Sequence, residues 1–587
     1  MKSLFTISLL FLALTASAQE LFVKTNGNNL NDRISLKEMK SFQHTNVDGD
    51  DKIVIDMISG AKITLDPSAK TSIDAVDVDH AYRQGRLSNL KVYSLSSKLS
   101  SFKRGDFIGV FHEDDYSADE FGPAAYSDGQ LAMFSSFFTA GVSINISTLA
   151  TRNRVDKSRI RFHVADIVYA SVDTDGEPLA LSARLVYPYI VDGSMRISTM
   201  YLDNHFTIFE ESGAPSAQFG TSCGLTGMAS RGYLVIQPDL IGFGASASRT
   251  QQYVDQTIIP QVVADCLLAA KSYADMTTYN SKIPTINLSS SAQLINTGAS
   301  QGASTALGLQ YYMENEITTA ERRKLPSLKE TRICAGAYNM VGTTDFFTTT
   351  DTLLYAPIFP LMIQGAVVAH PDIMKYSDGT PISVHDFFDP MLETLPIDMS
   401  FFGDQGEYTV WELLTSKKQG SMFLTYFLPI FYGGMMPDFN SYVLVHKLLA
   451  PGIVREVAPD KYELNRDDER VKALLQVLEK SNLSNPEKWV PKTKITMTHA
   501  FDDSWVPYFN SLEFYENMKA QGADVSLTTL ERSADIGNHG IICYIWILSE
   551  LYRLPTPTIM SLVRLIMSNM PVPDFPEPNP DEPFEFG

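Results

Sequence analysis

Two segments set a serine between glycines: Gly220-Thr221-Ser222-Cys223-Gly224 and Gly298-Ala299-Ser300-Gln301-Gly302. At that spacing the glycines remove Cβ atoms that would collide in a sharp strand-to-helix turn, and the turn presents the serine hydroxyl as a nucleophile. The pattern also arises by chance in a long chain of ordinary glycine content, so the flanking residues decide. The first copy follows the turn-like segment Gly213–Phe219 and precedes the strand candidate Tyr233–Gln237, so Ser222 reads as a loop or helix-start serine. The second follows the apolar pair Leu294-Ile295 and precedes Ala303-Ser304-Thr305-Ala306-Leu307-Gly308-Leu309, small residues that let a helix lie close to a sheet. Ser300 is the nucleophile candidate, with Gly298 and Gly302 as elbow glycines. Its backbone is expected to be strained, at the positive end of a helix.

A serine hydroxyl needs an imidazole base, and an elbow of this kind is followed along the chain by an acid and then a histidine. Of the ten histidines, His539 is the only one after residue 499. It lies in Asp535-Ile536-Gly537-Asn538-His539-Gly540, read as an exposed, turn-rich loop before a helix over Ile541–Leu551. The acid should follow the preceding strand, where the chain runs His499-Ala500-Phe501-Asp502-Asp503-Ser504-Trp505-Val506-Pro507. An acid followed by two residues and Val-Pro, with the proline opening a helix, selects Asp503. Asp502 is the alternative and Asp345 a more distant one. Asp503 would fix the imidazole tautomer and stabilise the imidazolium. The developing oxyanion needs two backbone N–H donors, one expected from Gln301 and one from the loop Asp203-Asn204-His205-Phe206-Thr207, with Phe206 as the donor.

The elements that must position these groups alternate strand with helix from about residue 160, the mark of an α/β domain. Strands are expected at Leu179–Val186, Ile197–Leu202, Tyr233–Gln237, Gln293–Thr297, Arg332–Ala337, Lys494–Met497 and Asp524–Thr528. Helices are expected at Gln256–Tyr273, Gln301–Met313 and Tyr508–Lys519; in the first, Val262, Val263, Cys266, Leu267 and Ala270 fall on one face. About 150 residues rich in Phe, Met, Leu and Tyr interrupt the series, too long and too apolar for a loop, and are expected to fold as a mostly helical unit. Residues 19 to about 80 are polar with short strand-like pieces. Arg33–Leu36 and Lys62–Leu65, each followed by a similar step, suggest a duplicated hairpin. Asn46–Asp51 has the look of a calcium loop. Gly49 at loop position six would put His44 and Ile55 where acidic ligands belong, so it reads as a solvated turn.

The first eighteen residues, with Lys2, an apolar stretch from Leu4 to Leu14 and Ala16-Ser17-Ala18, have the form of a secretory signal cleaved before Gln19. The apolar run falls short of the ~18–20 residues that span a bilayer. The formal net charge of −21 excludes nucleic acid and anionic membranes as partners. Four cysteines, Cys223, Cys266, Cys334 and Cys543, are too few for a disulfide scaffold and lack metal-site spacing. Cys334 is expected to be a buried thiol, and one bridge between Cys223 and Cys266 stays open. Neither metal nor cofactor is implied.

Asp166–Pro178, with its Asp175-Gly176-Glu177-Pro178 turn, and Pro238-Asp239-Leu240-Ile241-Gly242-Phe243-Gly244-Ala245-Ser246 resemble segments of the secretory lipase-like α/β-hydrolases. The resemblance covers about residues 166–345 and 490–550. It implies an α/β-hydrolase fold with a mostly helical cap inserted after the nucleophile half, plus an N-terminal β-rich extension that the family does not account for. Divided accordingly, the chain comprises a signal peptide (1–18), the extension (19–160), a first core part (161–344), the cap (345–490), a second core part (491–570) and an acidic, Pro-rich tail (571–587). Asp239 is taken as structural. Where the family has His-Gly-Thr this chain has His205-Phe206-Thr207, which puts bulk beside the nucleophile and narrows the acyl pocket. The elbow also ends Gly302-Ala303 where Gly-Gly is common.

The leading reading is an exported serine hydrolase, periplasmic or extracellular, that cleaves carboxylic esters of small molecules or lipids through an acyl-enzyme on Ser300, without stable membrane insertion. Alternatives are an acetyl or feruloyl esterase acting on polysaccharide, a prolyl-type peptidase, and an inactive hydrolase scaffold used for binding. The sequence leaves the oligomeric state open.

Overall fold

Strands that are apolar at nearly every position have no face to offer water, so both sides of their sheet must be covered. The chain builds such a sheet from nine strands: β1 (Phe107–Ser117), β2 (Ile160–Val172), β3 (Pro178–Ile190), β4 (Arg196–Asn204), β5 (Leu234–Pro238), β6 (Asn287–Ala299), β7 (Ser327–Cys334), β8 (Ile495–Ala500) and β9 (Val525–Leu530). The computed structural model describes residues 102–124, 132–217, 225–279, 283–398, 407–416, 424–435, 441–503, 505–530 and 539–567, with the backbone of six further strands between residues 20 and 74. The sheet order is β9-β8-β7-β6-β4-β5-β3-β2-β1. From β5 to β9 all neighbours are parallel, whereas β1, β2, β3 and β5 pair antiparallel.

All seven expected strands are present, shifted or extended by a few residues at their ends. The alternating pattern begins earlier than expected. β1 pairs along its length with β2, and α1 (Ala132–Asn153) buries Phe138, Val142, Ile146 and Leu149 against the same sheet. The charged run His112-Glu113-Asp114-Asp115 concealed β1, because its outward residues are acidic and its inward ones few. Residues 20–74 hold two three-stranded sheets, and they are not a duplicated hairpin. Leu30–Ser35 pairs with Glu20–Lys24, and Lys62–Leu65 with Asp50–Met57. Val47 stands opposite Asp50, and Asp48-Gly49, where the solvated turn is expected, lies outside the described residues. The first eighteen residues expected to form a signal sequence, Ser222 with its glycines, Cys223 and the acidic tail lie outside the described residues.

Helices cover both faces of the sheet. α2 (Ile259–Thr277) lays Val262, Val263, Cys266, Leu267 and Ala270 on one, each contributing roughly 1–3 kcal/mol by burial. On the other, α5 (His539–Tyr552) and α6 (Thr556–Met567) join α1. α3 (Gln301–Asn315) and α4 (Phe509–Ala520) meet beside β7 and β8 through Ala303, Leu307, Phe514 and Met518. Cys266 is a free buried thiol that faces the sheet from within α2, where apolar packing accounts for it. Between β7 and β8 the chain forms its own apolar cluster, centred on residues such as Phe347, Tyr355, Phe359, Phe387 and Leu474. Its helices include Met340–Thr350, Ile358–Ala369 and Glu469–Lys480, but it also contains three small antiparallel sheets that its aromatic content did not announce. Among the described residues no helix is long and apolar enough to cross a membrane.

Candidate active site

β6 ends at Ala299 and α3 begins at Gln301, leaving Ser300 to make the entire turn with φ 55° and ψ −124°. A non-glycine residue held there stores on the order of 1–3 kcal/mol. The neighbours enforce it. The Ser300 N–H donates to the carbonyl of Cys334 on β7 at 2.8 Å. A Cβ on Gly298 would sit 2.1 Å from the Gly302 carbonyl oxygen, and one on Gly302 would sit 2.0 Å from that of Asn204. Both glycines are therefore steric requirements of the turn and of the β4 loop that crosses it.

Asp503 follows β8, and its side chain is fully buried. One carboxylate oxygen accepts the backbone N–H groups of Trp505 and Val506, each at 3.0 Å. The other is 2.7 Å from His539 Nδ1 and 3.3 Å from His499 Nε2. Burial disfavours the carboxylate, but the charge of His539 and the hydrogen bond from His499 outweigh it and hold Asp503 well below the ordinary range. Its partner moves the other way. Burial lowers the basicity of His539, yet Asp503 and then Cys543 raise it above the usual histidine value. Of the three acids weighed, the structure brings Asp503 to His539, while Asp345 pairs instead with Arg466 at 2.5 Å.

His539 is the first residue of α5 and is buried, not part of an exposed loop. Its Nε2 meets Cys543 Sγ at 3.9 Å, and among the described residues Ser300 Oγ makes no hydrogen bond. The strand order β9-β8-β7-β6 places the nucleophile turn, Asp503 and the start of α5 at the carboxyl edge of one parallel sheet.

Compared with solved structures, the chain is similar to the rice cell wall degrading esterase LipA from Xanthomonas oryzae. A single-residue variant of that protein superposes with a TM-score of 0.52 at 17% identity, covering 77% of this chain and 97% of that one. Another structure of the same esterase gives 0.51 at 18% identity over the same shares. No family model matches the sequence, and no curated protein matches it. The fold is that of the α/β-hydrolases.

In that fold the loop after β4 approaches the elbow, and here it is pinned there. Asn204 Nδ2 donates to the Thr297 carbonyl at 2.8 Å and to Asn296 Oδ1 at 3.0 Å, opposite Gly298 in register. His205 is buried with Nδ1 2.6 Å from the Phe206 carbonyl and Nε2 3.3 Å from that of Asp239, and burial lowers its pKa. Both ring nitrogens thus face backbone carbonyls, which ties the loop to the Asp239 segment. Phe206 is half-buried, and Thr207 Oγ1 lies 2.9 Å from Tyr253 OH. Asp239 is structural in geometry. It accepts from the N–H of Ser216 at 2.8 Å and from the hydroxyls of Ser216 and Ser182, and burial raises its pKa.

Four neighbours of the site were not foreseen. Cys543 follows His539 by one helical turn, a spacing legible only once α5 is known to start at His539. His499 precedes Asp503 by four residues. Trp505 stacks on His539 with centroids 5.5 Å apart, and Tyr355 stacks on Trp505 at 4.1 Å and 3°. Among the described residues no group of His, Cys, Asp and Glu could hold a metal ion.

Proposed function

We propose that this protein is a serine hydrolase that cleaves carboxylic esters through an acyl-enzyme on Ser300, with His539 as base and Asp503 as its orienting acid. The observation that carries the reading is the 2.7 Å Asp503–His539 bond at the sheet edge that also carries the strained Ser300 turn. Ser300 Oγ attacks the ester carbonyl carbon while His539 Nε2 takes its proton, and Asp503 balances the imidazolium. The backbone N–H groups of Gln301 and Phe206 receive the oxyanion, at a place preset by Asn204 and His205. Collapse expels the alcohol with the proton from His539, and water then releases the acid by the same steps in reverse order of partners. His539 has first to turn from Cys543 toward Ser300, a tightening common between a free enzyme and its substrate complex.

The unit between β7 and β8 acts as the cap of this site, since its Tyr355 reaches the base through Trp505. Phe206 narrows the acyl side. The leader-like first eighteen residues and the acidic charge support an exported enzyme acting on small ester or lipid molecules. The resemblance to a cell wall degrading esterase supports a second reading, an esterase removing acyl groups from polysaccharide.

Hydrolysis of p-nitrophenyl esters of graded chain length, by wild type and Ser300→Ala, tests the reading alongside labelling by a fluorophosphonate. Activity and labelling that vanish together in Ser300→Ala are expected. Wild type that hydrolyses no ester and takes no label would overturn it. Faster release of acetate from acetylated xylan than from short p-nitrophenyl esters would favour the polysaccharide reading.

A further inference from the structure

Below the sheet edge that carries Ser300 lies a cavity of about 530 Å³, between β6, β7, β8 and the end of α5. Ile295, which lines it, stands five residues before Ser300 on β6, so the cavity sits roughly 15 Å down the strand from the nucleophile. Five cations line it, Arg231, Lys329, Arg332, Lys494 and Arg553, against two carboxylates, Glu330 and Glu550. Both carboxylates are already engaged by Arg332, each at 2.7 Å. Among the described residues no carboxylate is in ion-pair contact with Arg231, Lys329, Lys494 or Arg553. In a chain of net charge −21 that is a concentrated local excess of positive charge.

The decisive group is Arg231. It is 93% buried by its 7% exposure and lines the cavity. One terminal nitrogen donates to the Leu551 carbonyl at 2.7 Å, which caps the end of α5. Arg553, just past the end of α5, donates to Tyr233 OH at 2.7 Å; burial first, and then the nearby charge of Arg553, depress the basicity of Arg231. Like charges so placed are relieved by an anion that accepts from both.

We infer that this cavity binds a phosphate- or sulfate-type oxyanion, held by Arg231 and Arg553 with Lys329 and Lys494 supplying charge. Guanidinium groups favour such oxyanions because their N–H donors match two oxygens at once. The volume exceeds what a bare ion fills, so a phosphate ester of a small molecule fits as well as free phosphate. The site is independent of Ser300 and of the reading of its chemistry.

Calorimetric titration of the full chain with inorganic phosphate, at fixed ionic strength set by chloride, tests this. Saturable binding is expected, with affinity reduced at least about tenfold in Arg553→Gln and in Lys494→Gln, as loss of a charge-assisted contact predicts. Both side chains are exposed, so these variants should melt with wild type in phosphate-free buffer. Phosphate should also raise the wild-type melting midpoint by about 2 °C or more, as ligand linkage requires. Glucose 6-phosphate binding tighter than phosphate, with glucose itself inert, identifies an ester as the ligand; equal affinity identifies the free ion. Absence of saturable binding, or binding unchanged in Arg553→Gln, Lys494→Gln and Arg231→Gln alike, overturns the proposal.

Discussion

His539 Nε2 lies 3.9 Å from Cys543 Sγ, one turn along the helix that His539 begins. The nitrogen that faces Ser300 in the proposed mechanism thus rests against a thiol. The hydrogen bond from Cys334 and the charge of His539 lower the Cys543 pKa against the opposing effect of burial. The interaction favours the imidazolium, which cannot act as base. Activity should therefore rise with pH, reaching half its maximum above the ordinary histidine range, as the raised His539 value is passed. Cys543→Ala removes one of the raising influences and should shift this limb of the kcat/KM profile toward lower pH. Profiles measured on a p-nitrophenyl ester decide it; an unshifted limb would mean the thiol does not bear on the base.

The two adjacent aspartates separate cleanly. Asp503→Asn keeps the shape but loses the charge that orients and stabilises the imidazolium, and kcat should fall on the order of 10³–10⁴-fold. Asp502→Asn should change it less than about threefold. Comparable losses in both would move the acid assignment.

Ser300 occupies a backbone conformation that glycine adopts without strain. Ser300→Gly should therefore be more stable than Ser300→Ala by about 1 kcal/mol, although both are inactive. Urea midpoints of the two variants measure the strain held at the nucleophile.

The ring ladder Tyr355–Trp505–His539 links the insertion to the base. A stacked aromatic pair contributes about 0.5–1.5 kcal/mol beyond its buried area, so Tyr355→Leu should lower kcat/KM about 2- to 10-fold. Pre-steady-state acylation should slow with it. A change in KM with acylation untouched would assign Tyr355 to substrate contact instead.

Arg184 is buried with its guanidinium 2.8 Å and 3.0 Å from the Asp166 carboxylate, which also meets His112 at 2.9 Å. The three residues join β3, β2 and β1. Arg184→Met removes the guanidinium from the buried Asp166 carboxylate and should destabilise the chain by roughly 3–5 kcal/mol in urea titration. Arg184→Met with Asp166→Leu should recover part of that loss.

The parallel half of the sheet was legible because each strand is a bounded apolar run followed by a helix with one apolar face. The Ser300 turn was legible from its glycines, and Asp503 from its distance to Val506-Pro507. β1 was not, since an edge strand needs apolar residues on only part of one face and its acidic residues read as surface. The burial of His539 was hidden because its helix starts two residues before the apolar run that announces it. Cys543, Trp505 and Tyr355 matter only through contacts that the fold creates, two of them with residues far away in sequence.

Strand order also sets an order in time. Synthesised in chain order, β1 to β7 supply one contiguous run of the final sheet, and β7 brings Cys334, the partner of the Ser300 N–H. About 160 residues then separate Cys334 from Ile495. At typical rates of translation that is an interval of roughly ten to thirty seconds. A chain synthesised to that point holds the residues of the Ser300 turn and of β7 but neither Asp503 nor His539. The long insertion thus separates, in order of synthesis, the proposed nucleophile from its proposed acid and base.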